Sequence, residues 1–166
     1  MKRFFVDAML GKVAIWLRLT GHDTRFNPDI HDDEILEIAS VKDRIILTSD
    51  EELVSRADAR NIRSHLVRGS VDSRVAEIFR KFNISTNIDP EISRCTKCNG
   101  ELRKIDSEKK AQIKDMVKRG TYENHELFWL CKQCGSIFWE GSHWKNMVQY
   151  MKRITKLLAI EFNHDS

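Results

Sequence analysis

Through residues 1–83 the hydrophobic period of the chain switches repeatedly between two and about 3.6 residues. KRFFVDA (2–8) is short, aromatic and β-branched, and reads as a strand. Residues 9–20, MLGKVAIWLRLT, place Leu10, Val13, Trp16 or Leu17, and Thr20 at helical spacing, and Gly21 follows as a stop. HDTRFN (22–27) is a second strand, ended by Pro28; DDEILEIASVK (32–42) is a helix with Ile35, Ile38 and Ala39 on one face. RIILTSD (44–50) is apolar until its last three residues, which suits a strand covered on both faces. EELVSRADARN (51–61) is a helix, RSHLVRG (63–69) a fourth strand, and VDSRVAEIFRKFN (71–83) a helix with Val75, Ile78, Phe79 and Phe82 facing inward. The pattern βαβαβαβα predicts a Rossmann-like α/β fold, a parallel sheet with helices on both faces. Sites in such folds lie beyond the carboxyl ends of the strands.

The rest of the chain has a different character. Residues 84–93, ISTNIDPEIS, are polar, hold Pro90 and read as a linker. Beyond them come two CxxC pairs separated by a charged stretch, EKKAQIKDMVKRG (108–120), which reads as a helix or an exposed insertion. Residues 144–162 form an amphipathic helix with Met147, Met151, Ile154 and Leu158 on one stripe, available for packing or for homodimerisation. The expected units are 1–90, 91–143 and 144–166. Residues 1–93 hold 14 Lys+Arg against 16 Asp+Glu, whereas residues 94–166 hold 14 against 9. The second half is therefore basic enough to attract a polyanion. Apolar residues at 41% and charged residues at 32% exclude a disordered chain. No apolar run approaches the ~20 residues of a membrane span. The opening MKRFFVDAMLGKVAIW is broken by Asp7, Gly11 and Lys12, so it is not a signal peptide. A cytoplasmic location without membrane contact is the expectation.

All four cysteines lie in the pairs Cys95-Thr-Lys-Cys98 and Cys131-Lys-Gln-Cys134. Thiolates at this spacing suit tetrahedral zinc, and four sulfur ligands leave no open position, so the zinc is structural. Asn99-Gly100 and Gly135 follow the second cysteine of each pair, where a knuckle turn needs a positive φ. His143 reads as a half-buried or substrate-facing side chain rather than a zinc ligand. Trp129, Trp139 and Trp144 cluster near the second knuckle, as a small core or as stacking surfaces for bases.

Asp7 ends the first strand, Asp29, Asp32 and Asp33 follow the second, and Asp50 ends the third. A parallel sheet brings these acids to one edge, where their repulsion is relieved by a divalent cation; hard oxygen ligands favour Mg²⁺ or Mn²⁺. Such ions activate water and stabilise the leaving oxygen of a phosphodiester. The competing reading is local: Asp32 or Asp33 caps the second helix, and Ser49 with Glu52 forms a capping box. Asp7 resists it best, because it interrupts an apolar strand end. No GxGxxG, P-loop or GxSxG motif is present.

Phe5-Val6-Asp7, Met9-Leu10-Gly11-Lys12, Trp16-Leu17-Arg18-Leu19 and Gly21 together resemble the opening of the PIN-like ribonucleases of the branch that also forms the C-terminal domain of the Mut-seven exonuclease. Arg44 to Asp50, ending in Thr-x-Asp, resembles that family's third strand, and Cys131-x-x-Cys134-Gly135 with Trp139-x-Gly141-Ser142-His143-Trp144 and Met147 resembles its ending. The resemblance spans residues 3–147 and implies a PIN-like nuclease core followed by a zinc ribbon. By similarity, Asp7 and Asp50 carry over as catalytic metal-binding acids. The acid opening the second helix falls on Asp32, with Asp33 its close competitor. Lys12 and Arg18 match basic positions near the same edge, where they could contact phosphate, and Cys95, Cys98, Cys131 and Cys134 carry over as the zinc ligands. Ser49 stands where the family usually has Arg, and Asp29, Asp33 and Glu51 compete for a fourth acid.

The expectation is a ribonuclease that cuts single-stranded RNA with Mg²⁺ or Mn²⁺, the RNA held by the basic ribbon. The alternative is a non-catalytic RNA-binding zinc-ribbon protein of RNA processing or the ribosome. A receiver-like signalling domain fits less well: it needs a second acid beside the first, and Ala8 follows Asp7.

Overall fold

Successive side chains of a strand leave the sheet on opposite faces, and that alternation sets the layering of this protein. A computed structural model describes residues 1–162. Strands β1 (Arg3–Val6), β2 (Asp23–Phe26), β3 (Ile45–Thr48) and β4 (Ser64–Leu66) form one sheet in the order β2-β1-β3-β4, every pair parallel. Phe4, Val6, Ile45 and Leu47 face one side. There they meet α1 (Gly11–Leu19) through Val13, Ala14 and Leu17, and α4 (Val71–Lys81) through Val75, Ile78 and Phe79. Phe5 and Ile46 face the other side, against Ile35, Leu36 and Ala39 of α2 (Asp32–Lys42) and Leu53 and Ala57 of α3 (Glu51–Ala59). The helices thus cover both faces, as the alternating pattern requires.

The first expected helix starts later than its pattern suggests. Residues Ala8–Leu10 form a 3-10 turn, and α1 begins at Gly11. A side chain at Gly11 would place its Cβ 2.8 Å from Phe26 Cζ, so any larger residue there would push the Phe26 ring off the helix start.

After Lys81 the chain crosses to a second, antiparallel sheet, β5 (Leu102–Ile105), β6 (Phe128–Cys131) and β7 (Ile137–Phe138), in the order β5-β6-β7. Its own core is Ile105, Ile113 and Phe128, all fully buried. Ile113 belongs to the charged segment between the cysteine pairs, which folds as a 3-10 turn (Lys110–Ile113) and a short helix α5 (Arg119–Asn124). The insertion therefore supplies a third of that core rather than standing free in solvent.

The final helix, α6 (Ser142–Phe162), spends its stripe on packing. Met151 and Ile154 are buried in the main core, Tyr150 stacks on Trp16 at 4.0 Å between centroids, and Arg153 pairs with Asp72 at 2.9 Å. Residues 163–166, the end of the expected tail, lie outside the described residues. No described helix is long and apolar enough to cross a membrane.

His22, at the turn into β2, gives the fold a pH signature. Its ring lies edge-on to Phe4 and accepts from the Lys2 amide, and burial, then the N-terminus and Lys2, push its pKa down to about 4. The imidazole is neutral when folded, whereas the unfolded chain takes up a proton below about 6.5. Its contribution is therefore complete above pH 6.5 and is lost as pH falls towards 4, on the order of 2–3 kcal/mol in all. Denaturant unfolding at pH 7.5 and at pH 5 should show the wild type losing more stability than His22→Asn, which can still accept from Lys2. Equal losses would show that His22 is not the source.

Candidate active site and the four-cysteine cluster

The carboxyl ends of β1 and β3 are adjacent because those strands pair directly, Val6 opposite Leu47. The Asp7 amide extends the ladder by donating to Leu47 O at 3.0 Å. The Asp7 carboxylate is then held at both oxygens: Oδ1 accepts from the Ala8 amide at 2.6 Å, and Oδ2 from the Thr48 hydroxyl at 2.7 Å. The same hydroxyl accepts the Asp50 amide at 3.0 Å. One buried threonine thus fixes both strand ends. Each Asp7 oxygen retains a second lone pair for another partner.

Asp7, Asp32 and Asp50 line one open cleft of about 560 Å³, together with Met9, Ser49, Glu51 and Arg68. Burial raises the Asp32 pKa; Arg56, at 3.3 Å, opposes that rise, while Asp50, Asp7 and Glu52 add to it. The acids therefore feel one another across the cleft. They line it without closing on a point: among the described residues the four thiols are the group of potential metal ligands that converges within 4.8 Å. An ion that keeps several of its waters, as Mg²⁺ does, suits that wider spacing.

The structure separates the acids that the sequence left in competition. Asp33 is exposed and paired with Arg56 and Arg60, Asp29 lies outside the cleft, and Glu51 lines it, paired with Arg68. Capping is real but shifted by one residue. Asp50, not Ser49, caps α3, accepting from the Glu52 amide at 2.7 Å, and the cap position of α2 is His31, with no side-chain bond. Thr48, Arg56 and Arg68 were not singled out from sequence; Thr48 alone had a signal, as the first residue of Thr-x-Asp.

The basic residues scatter. Lys12 is exposed on the first turn of α1. Arg18, expected to contact phosphate, is 5% exposed and sits at the other end of that helix. Its guanidinium donates to Thr24 O at 2.9 Å and Thr96 O at 2.8 Å, so the cysteine loop occupies it. His143 is exposed at the start of α6, by a different cleft.

Cys95, Cys98, Cys131 and Cys134 come together from the loop before β5 and the end of β6 with the turn after it, with Sγ atoms 3.6 Å apart between Cys95 and Cys134 and 3.4 Å between Cys98 and Cys131. A disulfide needs about 2.0 Å. Tetrahedral zinc with bonds of about 2.3 Å spaces its sulfurs about 3.8 Å apart, so the four thiols fit such an ion. Asn99 and Gly135 have φ of 69° and 72°, the turn geometry of the two knuckles. A Cβ at Gly100 would stand 2.8 Å from Cys131 Sγ, so glycine there makes room for the thiol. The thiols differ: burial pushes Cys95 up to about 12, while Ser136 draws Cys134 down to about 6.

The first knuckle is also stitched to the sheet. Asn99 accepts the Thr24 amide at 2.9 Å and donates to Asp23 at 2.6 Å, and Asp23 is paired with Arg44 at 2.8 Å. Burial pushes Asp23 up, but the bonds from Arg44 and Asn99 outweigh it and hold the carboxyl low. Asn99 thus occupies the free edge of β2, which would otherwise present unpaired amides.

The model of the Mut7-C RNAse domain family matches residues 2–151. Comparison with curated proteins and with solved structures gives no match.

Proposed function

The chain belongs to the Mut7-C RNase domain family, and from that premise we propose that it is a metal-dependent ribonuclease hydrolysing single-stranded RNA. The observation that carries the reading is the Thr48 hydroxyl, which ties Asp7 to Asp50 at the mouth of a cleft that Asp32 also lines. In this reading Asp7, Asp32 and Asp50 hold Mg²⁺ or Mn²⁺, and Glu51 is the best-placed fourth acid. The bound ion supplies water activation and charge stabilisation at the phosphodiester. Ala8 and Thr48 fix both Asp7 oxygens, so that carboxylate costs little reorganisation when a cation or substrate arrives. Arg56 restrains Asp32 from outside the cleft, and Arg68, with Lys12 nearby in sequence to the Asp7 turn, offers charge to the phosphates. The four cysteines hold structural zinc, and the basic half of the chain retains RNA by its backbone, a contact that weakens with salt. Free thiols suit a reducing compartment such as the cytoplasm. The caps that Asp7 and Asp50 also form would serve a binding-only protein equally, so cleavage decides between the two readings.

The test is cleavage of a short end-labelled single-stranded RNA by zinc-loaded protein, with Mn²⁺, with Mg²⁺ and with neither. Cleavage that requires one of the two ions is expected. Cleavage at an undiminished rate with neither, or none with both, overturns the proposal.

A further inference from the structure

A second cleft, of about 430 Å³, lies at the seam between the two cores and is unused by the chemistry above. Its lining includes Trp139, which belongs to the ribbon core, and Trp144 of α6, which packs on the main core. Trp129, 4% exposed, also lines it, and its indole Nε1 is buried without a hydrogen-bond partner. A buried donor left unpaired is costly and calls for an acceptor. Among the described residues the lining holds Arg94, Lys97 and His143 and no acid, and the Arg94 guanidinium already donates through Nε to Asn99 O. The cleft also contains the start of α6, a 21-residue helix with no acidic residue in its first turn, whose opening amides have no acceptor within the helix. Aromatic side chains, an unpaired donor and basic residues beside a helix start match an aromatic base joined to a phosphate.

We infer that this seam is a nucleotide-binding subsite, taking one unstacked base of the RNA strand between Trp139 and Trp144 and its phosphate on the start of α6. Identifying the ligand as RNA rests on the ribonuclease reading; the shape and charge of the cleft do not. The subsite is remote from the scissile bond. Leu19 of the seam and Gly11, near the acid cleft, mark opposite ends of α1, whose nine residues span about 13 Å. It therefore anchors the strand at a distance and favours substrates long enough to reach both places.

The experiment measures binding of a short oligoadenylate, and of an abasic strand of the same length, to full-length zinc-loaded protein carrying Asp7→Asn so that nothing is cut. The oligoadenylate should bind about tenfold or more tightly than the abasic strand. Trp129→Phe, which keeps an aromatic ring but removes the donor, and Trp144→Ala should each close most of that gap. Lys97→Ala, on the exposed rim, should weaken both strands alike and lower the salt slope by about one. Zinc content and melting temperature show which variants are folded, and Lys97→Ala leaves the packing untouched. Equal binding of the two strands, or a gap that survives in a folded tryptophan variant, overturns the inference. So does free adenosine monophosphate binding as tightly as the oligomer, which would make this a mononucleotide site. Wild-type cleavage without a base effect removes only this subsite, and base-dependent binding by a protein that cuts nothing removes only the nuclease reading.

Discussion

Asp7→Asn should lower RNA cleavage by roughly 10²–10³-fold while leaving the fold intact. The substitution preserves shape. The asparagine oxygen can still accept the Ala8 amide that Oδ1 accepts now. Its amide group cannot accept the Thr48 hydroxyl proton but can donate to the second lone pair of that oxygen, so the hydroxyl hydrogen turns away while the Asp50 amide keeps its acceptor. Stability should hold or rise, because Asp7 contributes to the repulsion that raises Asp32. Removing that charge should move the Asp32 pKa back towards its ordinary value, a change that carboxyl NMR titration would read directly. Thr48→Val separates the parts: it keeps all three acids but leaves the Asp50 amide without its acceptor, and it should cost about 1–2 kcal/mol of stability as well as activity. Cleavage by Asp7→Asn at the wild-type rate would remove the acid cleft from the chemistry.

The acid edge was legible because period and chemistry coincide there. RIILTSD changes from apolar to polar within one strand end, and Asp7 interrupts another, so the parallel topology alone brings them together. The α6 stripe was equally plain in its spacing, but its destination was not: only the three-dimensional placement of Trp16 and Asp72 shows that the helix folds back on its own core. Arg18 shows the converse failure. It was grouped with Lys12 by resemblance, yet six residues of helix rise about 9 Å and turn about 600°, leaving the two side chains about 120° apart, so they do not serve one edge. Its real partners, Thr96 and Lys97, lie in a loop that no local pattern connects to α1. The capping error is smaller and of another kind. Ser49 and Asp50 are both good caps, and which one serves depends on where β3 releases the chain.

Removing the zinc proposed for the four cysteines should unfold far more than the ribbon. Structural zinc contributes about 10–16 kcal/mol to small peptide sites near neutral pH, comparable to or above the about 5–15 kcal/mol that holds a whole domain. The knuckle here is not a detachable module. Its Asn99 completes the edge of β2 through Thr24 and Asp23, its Thr96 and Lys97 carbonyls receive Arg18, and Ser93 just before it donates to Leu19 O at 2.6 Å. Charge adds to the coupling. Four thiolates around one zinc ion carry a net charge of −2, and although burial lowers the Arg18 pKa, Cys95 and Cys98 are the largest influences that favour its charged form. Without the metal that guanidinium keeps its carbonyl partners and the Asp23 charge but loses the thiolate charge beside it, which adds to the destabilisation. Chelation, or Cys98→Ser, should therefore lower the melting temperature of β1–β4 along with that of β5–β7, in a single transition. Arg18→Met gives the control: it should destabilise the zinc-loaded protein, where its carbonyl partners are lost, and matter much less in the metal-free one. Two separate transitions, with the parallel sheet melting at its wild-type temperature after chelation, would show that the knuckle merely rests on the edge of β2.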